Sequence, residues 1–154
     1  MNAEIAVGKV LTKRRLTIAV AESCTGGMLS DRLTNVSGSS KYFMAGIVTY
    51  SNESKENFLG VSRKSLERCG AVSGPVAIEM AKGIKHYACV DIGIAITGIA
   101  GPTGGTKRKP IGLVYVALVT DRKGLVKKFR FKGSRQEIKF QASQAALDIL
   151  RRSI

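Results

Sequence analysis

Apolar side chains recur at Ala3, Ala6/Val7 and Val10/Leu11, a spacing that predicts an amphipathic helix over residues 3–14. The rhythm then changes. Residues 16–21 form a short, nearly continuous apolar run, which suits a buried strand, and Glu22 ends it. A helix through Met28, Leu29 and Leu33 to about Asn35 is expected next, with Thr25 or Ser23 as its cap. Residues 36–40, VSGSS, read as a loop, and residues 42–50, YFMAGIVTY, as a second strand. Ser51 or Asn52 would cap a short helix stopped by Gly60, and Ser62 another ending at Gly70. Ser73 with Pro75 opens a longer helix, in which Val76, Met80, Ile84 and Tyr87 share a face.

The second half differs in kind. Residues 91–97 are apolar almost throughout, as a strand covered on both faces would be. Residues 98–110, GIAGPTGGTKRKP, form a long loop, a length that in compact domains usually carries function or disorder. Residues 111–120 and 125–132 flank DRKG as an antiparallel hairpin. Ser134 starts a last helix with Ile138, Ala142, Ala145/Ala146 and Ile149 on one face. Helices alternating with strands early and a hairpin late predict one α/β domain over residues 1–154, a layered α/β/α arrangement around a mixed sheet.

Composition narrows the setting. No apolar run approaches the ~18 residues of a membrane span, and the stretch after Lys13-Arg14-Arg15 is too short for a secretory core, so a cytoplasmic location and no membrane partner are expected. Cys24, Cys69 and Cys89 have no C-x-x-C spacing, and His86 is the only histidine. Neither a disulfide framework nor a zinc site is expected. Cys69 and Cys89 read as buried free thiols, whereas Cys24 sits in a turn that could hold a ligand. The net charge is +14, of which residues 78–154 carry +10 and residues 1–77 carry +4. An anionic partner, either a nucleic acid or a phosphorylated small molecule, fits that balance, and so does a solvated basic face.

Several familiar chemistries are absent. GPTGGTK lacks the spacing of a Walker A loop, no G-x-G-x-x-G follows a strand, and there is no G-x-S-x-G elbow. His86 lies in a helical stretch without a serine nearby, which leaves a histidine triad unsupported. What remains is Ser23, Ser39, Ser40, Tyr50 and Lys55, in or beside the turns between the first elements. A serine hydroxyl needs a base, and lysine can serve if burial or nearby positive charge lowers its pKa from about 10.4. Tyr50 could orient that amine or relay a proton; surface serines and a solvated Lys55 are the alternative reading. Gly26-Gly27 and Gly98, Gly101, Gly104 and Gly105 each follow a strand, where backbone N–H groups can approach an anion or where the chain simply turns.

Taken in order, AESCTGG (21–27), GSS (38–40), GIVTYSNESK (46–55), GAVSGPVAIEMA (70–81), TGIAGPTGG (97–105), KPIG (109–112) and FKGSR (131–135) resemble the CinA C-terminal domain family, also known as the PncC-type nicotinamide mononucleotide amidases. The similarity runs from the first strand to the last helix, and it is closest to the family's stand-alone form. It implies deamidation of nicotinamide mononucleotide to nicotinate mononucleotide and ammonia, a pyridine-nucleotide salvage step, by a serine–lysine arrangement with no cofactor and no metal. By matched position the resemblance makes Ser40 the leading nucleophile, Lys55 the general base, Tyr50 its orienting partner and Ser23 the competing nucleophile. It places Thr25, Gly26, Gly27, Thr97, Gly98, Gly101 and Arg135 around the substrate, with Arg135 as a fork for phosphate. A homo-oligomer is the family expectation. One departure stands out: Thr106-Lys107-Arg108 occupies a segment that is often acidic in the family. The rival readings are a basic nucleic-acid-binding or competence-related module with a vestigial amidase site, supported by KKFRFK (127–132), and the same frame acting on a different small amide.

Overall fold

The computed structural model describes all 154 residues. Six helices and five strands run in the order α1 (Ala3–Arg14), β1 (Ile18–Glu22), α2 (Met28–Thr34), β2 (Phe43–Val48), α3 (Asn52–Leu59), α4 (Arg63–Cys69), α5 (Gly74–Ala88), β3 (Ile92–Gly98), β4 (Leu113–Val119), β5 (Gly124–Arg130) and α6 (Arg135–Ser153). The sheet order is β2-β1-β3-β4-β5. The first three strands are parallel and the last two join antiparallel, so the sheet is mixed, as the pattern predicts. A single 3₁₀ turn, Ser39–Lys41, interrupts the expected loop before β2.

Helix starts obey local chemistry. Ser51, Ser62 and Ser73 each accept a hydrogen bond from a backbone N–H three residues on. At α6, Ser134 and Glu137 bond reciprocally, which satisfies two amides that a helix start leaves orphaned. Helix α2 departs from this. Its first flanking residue is Gly27 at φ 104°, and neither Thr25 nor Ser23 caps it. The cap comes instead from Glu22 at the end of β1, whose fully buried carboxylate accepts from the Leu29 and Ser30 amides at 2.9 and 3.1 Å. The Thr25 and Ser30 hydroxyls add bonds of 2.6 and 2.8 Å. A negative charge at a helix N-terminus is favourable, and four donors offset its burial.

Side-chain size differs between the two faces of the sheet. Ile18, Val20, Ile92, Ile94, Ile96, Val114, Val116 and Leu118 pack toward α1, α2 and α6. Ala19, Ala21, Ala95 and Ala117 face α5 instead, with Gly93 in the same register. That shallow floor lets α5 lie close: a Cβ on Gly93 would run into the Ala81 carbonyl oxygen, and one on Gly83 into that of Leu59. Tyr87, which the helical spacing puts on the buried face, is 62% exposed; the covered stripe of α5 consists of Val76, Ala77, Met80, Ala81 and Ile84. Cys89 is exposed and Cys69 only half-buried, which corrects the expectation that both are core thiols. No helix is long and apolar enough to cross a membrane.

Gly83 sets two effects against each other. Alanine is about 1 kcal/mol better than glycine inside a helix, but overpacking typically costs about 1–3 kcal/mol. Because the obstacle is backbone, Gly83→Ala is expected to lower stability by about 1–2 kcal/mol, read as a lower urea midpoint. A raised midpoint would mean that α3 and α5 are not in this close contact.

Candidate active site

The crossover from β1 through α2 to β2 lies on one face of the sheet, and the crossover from β2 through α3, α4 and α5 to β3 lies on the other. A crevice therefore opens outside the carboxyl ends of β1 and β3, where open α/β sheets bind ligands. A cleft of about 330 Å³ occupies that position, and Ser23, Lys55, Thr97 and Arg135 are among its lining residues. Ser23 directly follows β1, and its amide donates to Ile96 O at 3.0 Å, which sets it beside Thr97 at the end of β3.

Lys55 reaches this crevice from the first turn of α3. Its side chain is 1% exposed, and Nζ stands 3.0 Å from Ser23 Oγ, 2.6 Å from Thr49 O and 3.5 Å from Tyr50 O. No carboxylate pairs with it: the chain's three ion pairs join Arg32 to Glu4, Arg63 to Glu56 and Lys85 to Asp121. Burial without a counter-charge disfavours the ammonium and pushes the pKa of Lys55 down to about 8. A neutral amine has two N–H donors and one lone pair. With both donors directed at the two carbonyls, the lone pair is left for the Ser23 hydroxyl proton.

The structure separates the two candidate serines. Ser40 lies in the 3₁₀ turn before β2, exposed, whereas Lys55 follows β2. Because β2 runs parallel to β1, the whole length of that strand, roughly 16 Å, lies between Ser40 and the amine. Ser40 is therefore not brought to Lys55, and Ser23 is. Tyr50 lines the cleft, but its side chain does not orient the amine. Its carbonyl faces Lys55, while its hydroxyl accepts from Arg135 at 3.0 Å.

Arg135 also donates to Gly101 O at 2.6 Å, so one guanidinium spans the cleft mouth from the loop after β2 to the loop after β3. Thr97 is buried and donates to Ala71 O at 2.9 Å, fixing the segment that brings Ala71 and Val72 to the wall. Gly98 and Gly101 line the cleft as expected. Thr25, Gly26 and Gly27 do not line it: the Thr25 hydroxyl is committed to Glu22, and the two glycines turn the chain at φ 61° and 104° alongside.

Cys24 and Gly104, which the sequence marks as able to approach a ligand, also line the cleft, and the lining residues missed from sequence are Ala71, Val72, Ile99, Ala100 and Thr103. For the last three, the position of the glycine-rich loop after a buried strand was the available signal. Burial pushes the Cys24 thiol up to about 12, so at neutral pH it lines the cleft as a protonated thiol. His86 is exposed on α5, away from these groups. The cations of KKFRFK are exposed, while Phe129 and Phe131 stack on each other and pack against the core beneath α6.

Comparison with known proteins agrees with this architecture. The chain is 52% identical over 148 residues to a CinA-like protein of Kosmotoga olearia, and 51% identical over 150 residues to one of Syntrophus aciditrophicus. Each match covers 96–97% of this chain but only 36% of the relative, so the chain spans about a third of the length of these curated relatives. Among solved structures it resembles a competence-damaged protein (CinA) superfamily protein of Escherichia coli, with a TM-score of 0.96 and 37% identity, covering 99% of this chain and 89% of that one. It also resembles the competence/damage inducible protein CihA of Agrobacterium tumefaciens, with a TM-score of 0.91 and 35% identity, covering 97% and 94%. The family model for the CinA C-terminal domain matches residues 2–154, and the chain belongs to that family.

Proposed function

We propose that the chain is an amidohydrolase that deamidates nicotinamide mononucleotide, with Ser23 as nucleophile and Lys55 as general base. The observation that carries this reading is the 3.0 Å contact between a buried, uncompensated amine and a serine hydroxyl in a cleft. A serine is activated only by a neighbouring base, and no histidine is near. Nicotinamide mononucleotide as substrate rests on the motif resemblance together with a cationic cleft mouth at Arg135.

In the first step the Ser23 oxygen bonds to the carboxamide carbon while its proton passes to Lys55 Nζ. The carbonyl oxygen becomes an oxyanion. The Cys24 amide, the N–H next to the nucleophile, has no backbone acceptor and is free to stabilise it, a contribution often worth about 10²–10³ in rate. Collapse of the intermediate breaks the carbon–nitrogen bond, and Lys55 returns the proton to the leaving group, releasing ammonia. Water then adds to the acyl-enzyme with Lys55 again as base, freeing the carboxylate product and restoring the Ser23 hydroxyl. Thr97 and Ala71 hold the wall, and Arg135 together with Tyr50 bounds the mouth.

Two measurements test this. In a coupled ammonia assay with nicotinamide mononucleotide, Ser23→Ala and Lys55→Met are each expected to lose about 10³-fold or more of kcat, while Ser40→Ala keeps the wild-type rate. Loss in Ser40→Ala with full turnover in Ser23→Ala would transfer the nucleophile to position 40. The second measurement is the pH profile. Only the unprotonated amine can act as base, so kcat/KM is expected to rise with pH through about 8 and then level off. A flat profile from pH 6 to 9 would remove Lys55 as the titrating base.

A further inference from the structure

Three consecutive carbonyls beside the cleft each accept a side-chain hydrogen bond. Cys69 O accepts from Lys109 Nζ, Gly70 O from Ser73 Oγ at 2.7 Å, and Ala71 O from Thr97 Oγ1 at 2.9 Å. The Ser73 bond is local, part of the start of α5. The other two come from either end of the glycine-rich loop, because Thr97 precedes residues 98–108 and Lys109 follows them. That loop brings Ile99, Ala100 and Gly101 to the cleft, and the strap of residues 69–73 brings Ala71 and Val72. Loop and strap are therefore clamped together at two points.

Lys109 is suited to its end of the clamp. Residues 106–109 close into a turn, with the Thr106 amide donating to Lys109 O at 2.7 Å and the Lys109 amide to Thr106 Oγ1 at 3.0 Å. Lys109 is half-buried and belongs to none of the three ion pairs of the chain. Its acceptor is the carbonyl of the last residue of α4, which has no partner within the helix and lies at the negative end, where an ammonium is favoured. The approach needs glycine at position 70: φ there is 74°, and a Cβ would lie 2.7 Å from the Lys109 nitrogen.

What the clamp governs follows from what it leaves alone. Ser23 is placed by β1 and Lys55 by β2 and α3, and the bonds of the Lys55 amine go to Ser23, Thr49 and Tyr50, none of them in the loop or the strap. Lys109 itself does not line the cleft, so it acts only through the two segments it joins. Freeing one end of the clamp opens the wall without moving the alcohol away from the amine. We propose that Lys109 is a positioning residue: it holds the glycine-rich loop against the strap, fixes the width of the cleft, and so sets how tightly substrate is held and not how fast it reacts. The inference rests on the amidase reading for its substrate alone; the clamp is a contact between two segments and can be followed with no substrate present.

The test uses the full chain and compares Lys109→Met, which keeps the apolar stem and removes the donor, with Lys107→Met, which removes the same charge from an exposed position of the same loop. In the ammonia assay with nicotinamide mononucleotide, Lys109→Met is expected to raise KM about 10-fold with kcat within about twofold of wild type. Lys109→Arg is expected to restore most of KM, and Lys107→Met to match wild type. Methyl relaxation NMR on the substrate-free protein is expected to show larger motions of the Val72 and Ile99 methyls in Lys109→Met, with those of the buried Ile94 unchanged. An unchanged KM, a fall in kcat alone, or an equal rise in KM in Lys107→Met would each overturn the proposal. So would a Lys109→Met variant that melts earlier while Val72 and Ile99 stay as ordered as in wild type, since Lys109 would then serve only to stabilise α4. Looser Val72 and Ile99 methyls in a protein releasing no ammonia would keep the clamp and dismiss the amidase reading.

Discussion

An amine removed from water without a carboxylate beside it is the constraint on which the rest of the site depends. Lys55 is almost wholly buried, and the groups around its nitrogen are two carbonyls and one hydroxyl. Carbonyls stabilise an ammonium less than a carboxylate does, so desolvation prevails and the pKa falls to about 8. Between about pH 8 and 10.5 the unfolded chain binds a proton at this position that the folded chain does not, so stability rises with pH across that window. Below it the penalty is fully present, on the order of 3 kcal/mol. A fold retains such a penalty where the uncharged amine is needed, as at catalytic centres.

The scaffold explains how that amine meets an alcohol. Parallel pairing of β1 with β2 and with β3 brings the carboxyl ends of all three strands to one edge of the sheet: Ser23 comes after β1, Lys55 after β2, and Thr97 at the end of β3. The small residues facing α5 bring that helix, and the 70–73 segment at its start, close against the sheet. Glu22 acts as the fastener on the opposite face. By capping α2 from the last position of β1, it fixes the turn that carries Ser23 and leaves the Cys24, Thr25 and Gly27 amides without backbone acceptors. Positive charge at the mouth comes from α6, whose first turn is held by the Ser134–Glu137 box.

Much of this is legible in the sequence, and the errors have physical causes. The caps at Ser51, Ser62, Ser73 and Ser134 are local devices set by a few adjacent residues, and they lie where the sequence pattern puts them or, at Ser51, at one of its two choices. Ser40 illustrates the limit of motif matching. Ser40 precedes a strand and Lys55 comes after it, so in a parallel sheet the two belong to opposite edges, whereas Ser23 and Lys55 both come after strands. Recognising this needs only that β1 and β2 run parallel. The role of Glu22 was less accessible, because a carboxylate that ends an apolar run reads as the strand's stop and not as the next helix's cap. Tyr50 contributes a carbonyl where a hydroxyl was expected, a distinction that residue type does not carry.

The most direct measurement is the titration of Lys55 itself, tracked by the NMR shifts of its labelled side chain and assigned by the resonance that disappears in Lys55→Met. An amine that changes protonation near pH 8, well apart from the other lysines, is the predicted result. A Lys55 resonance titrating with the others near about 10.4 would show an ordinary solvated ammonium and contradict the account.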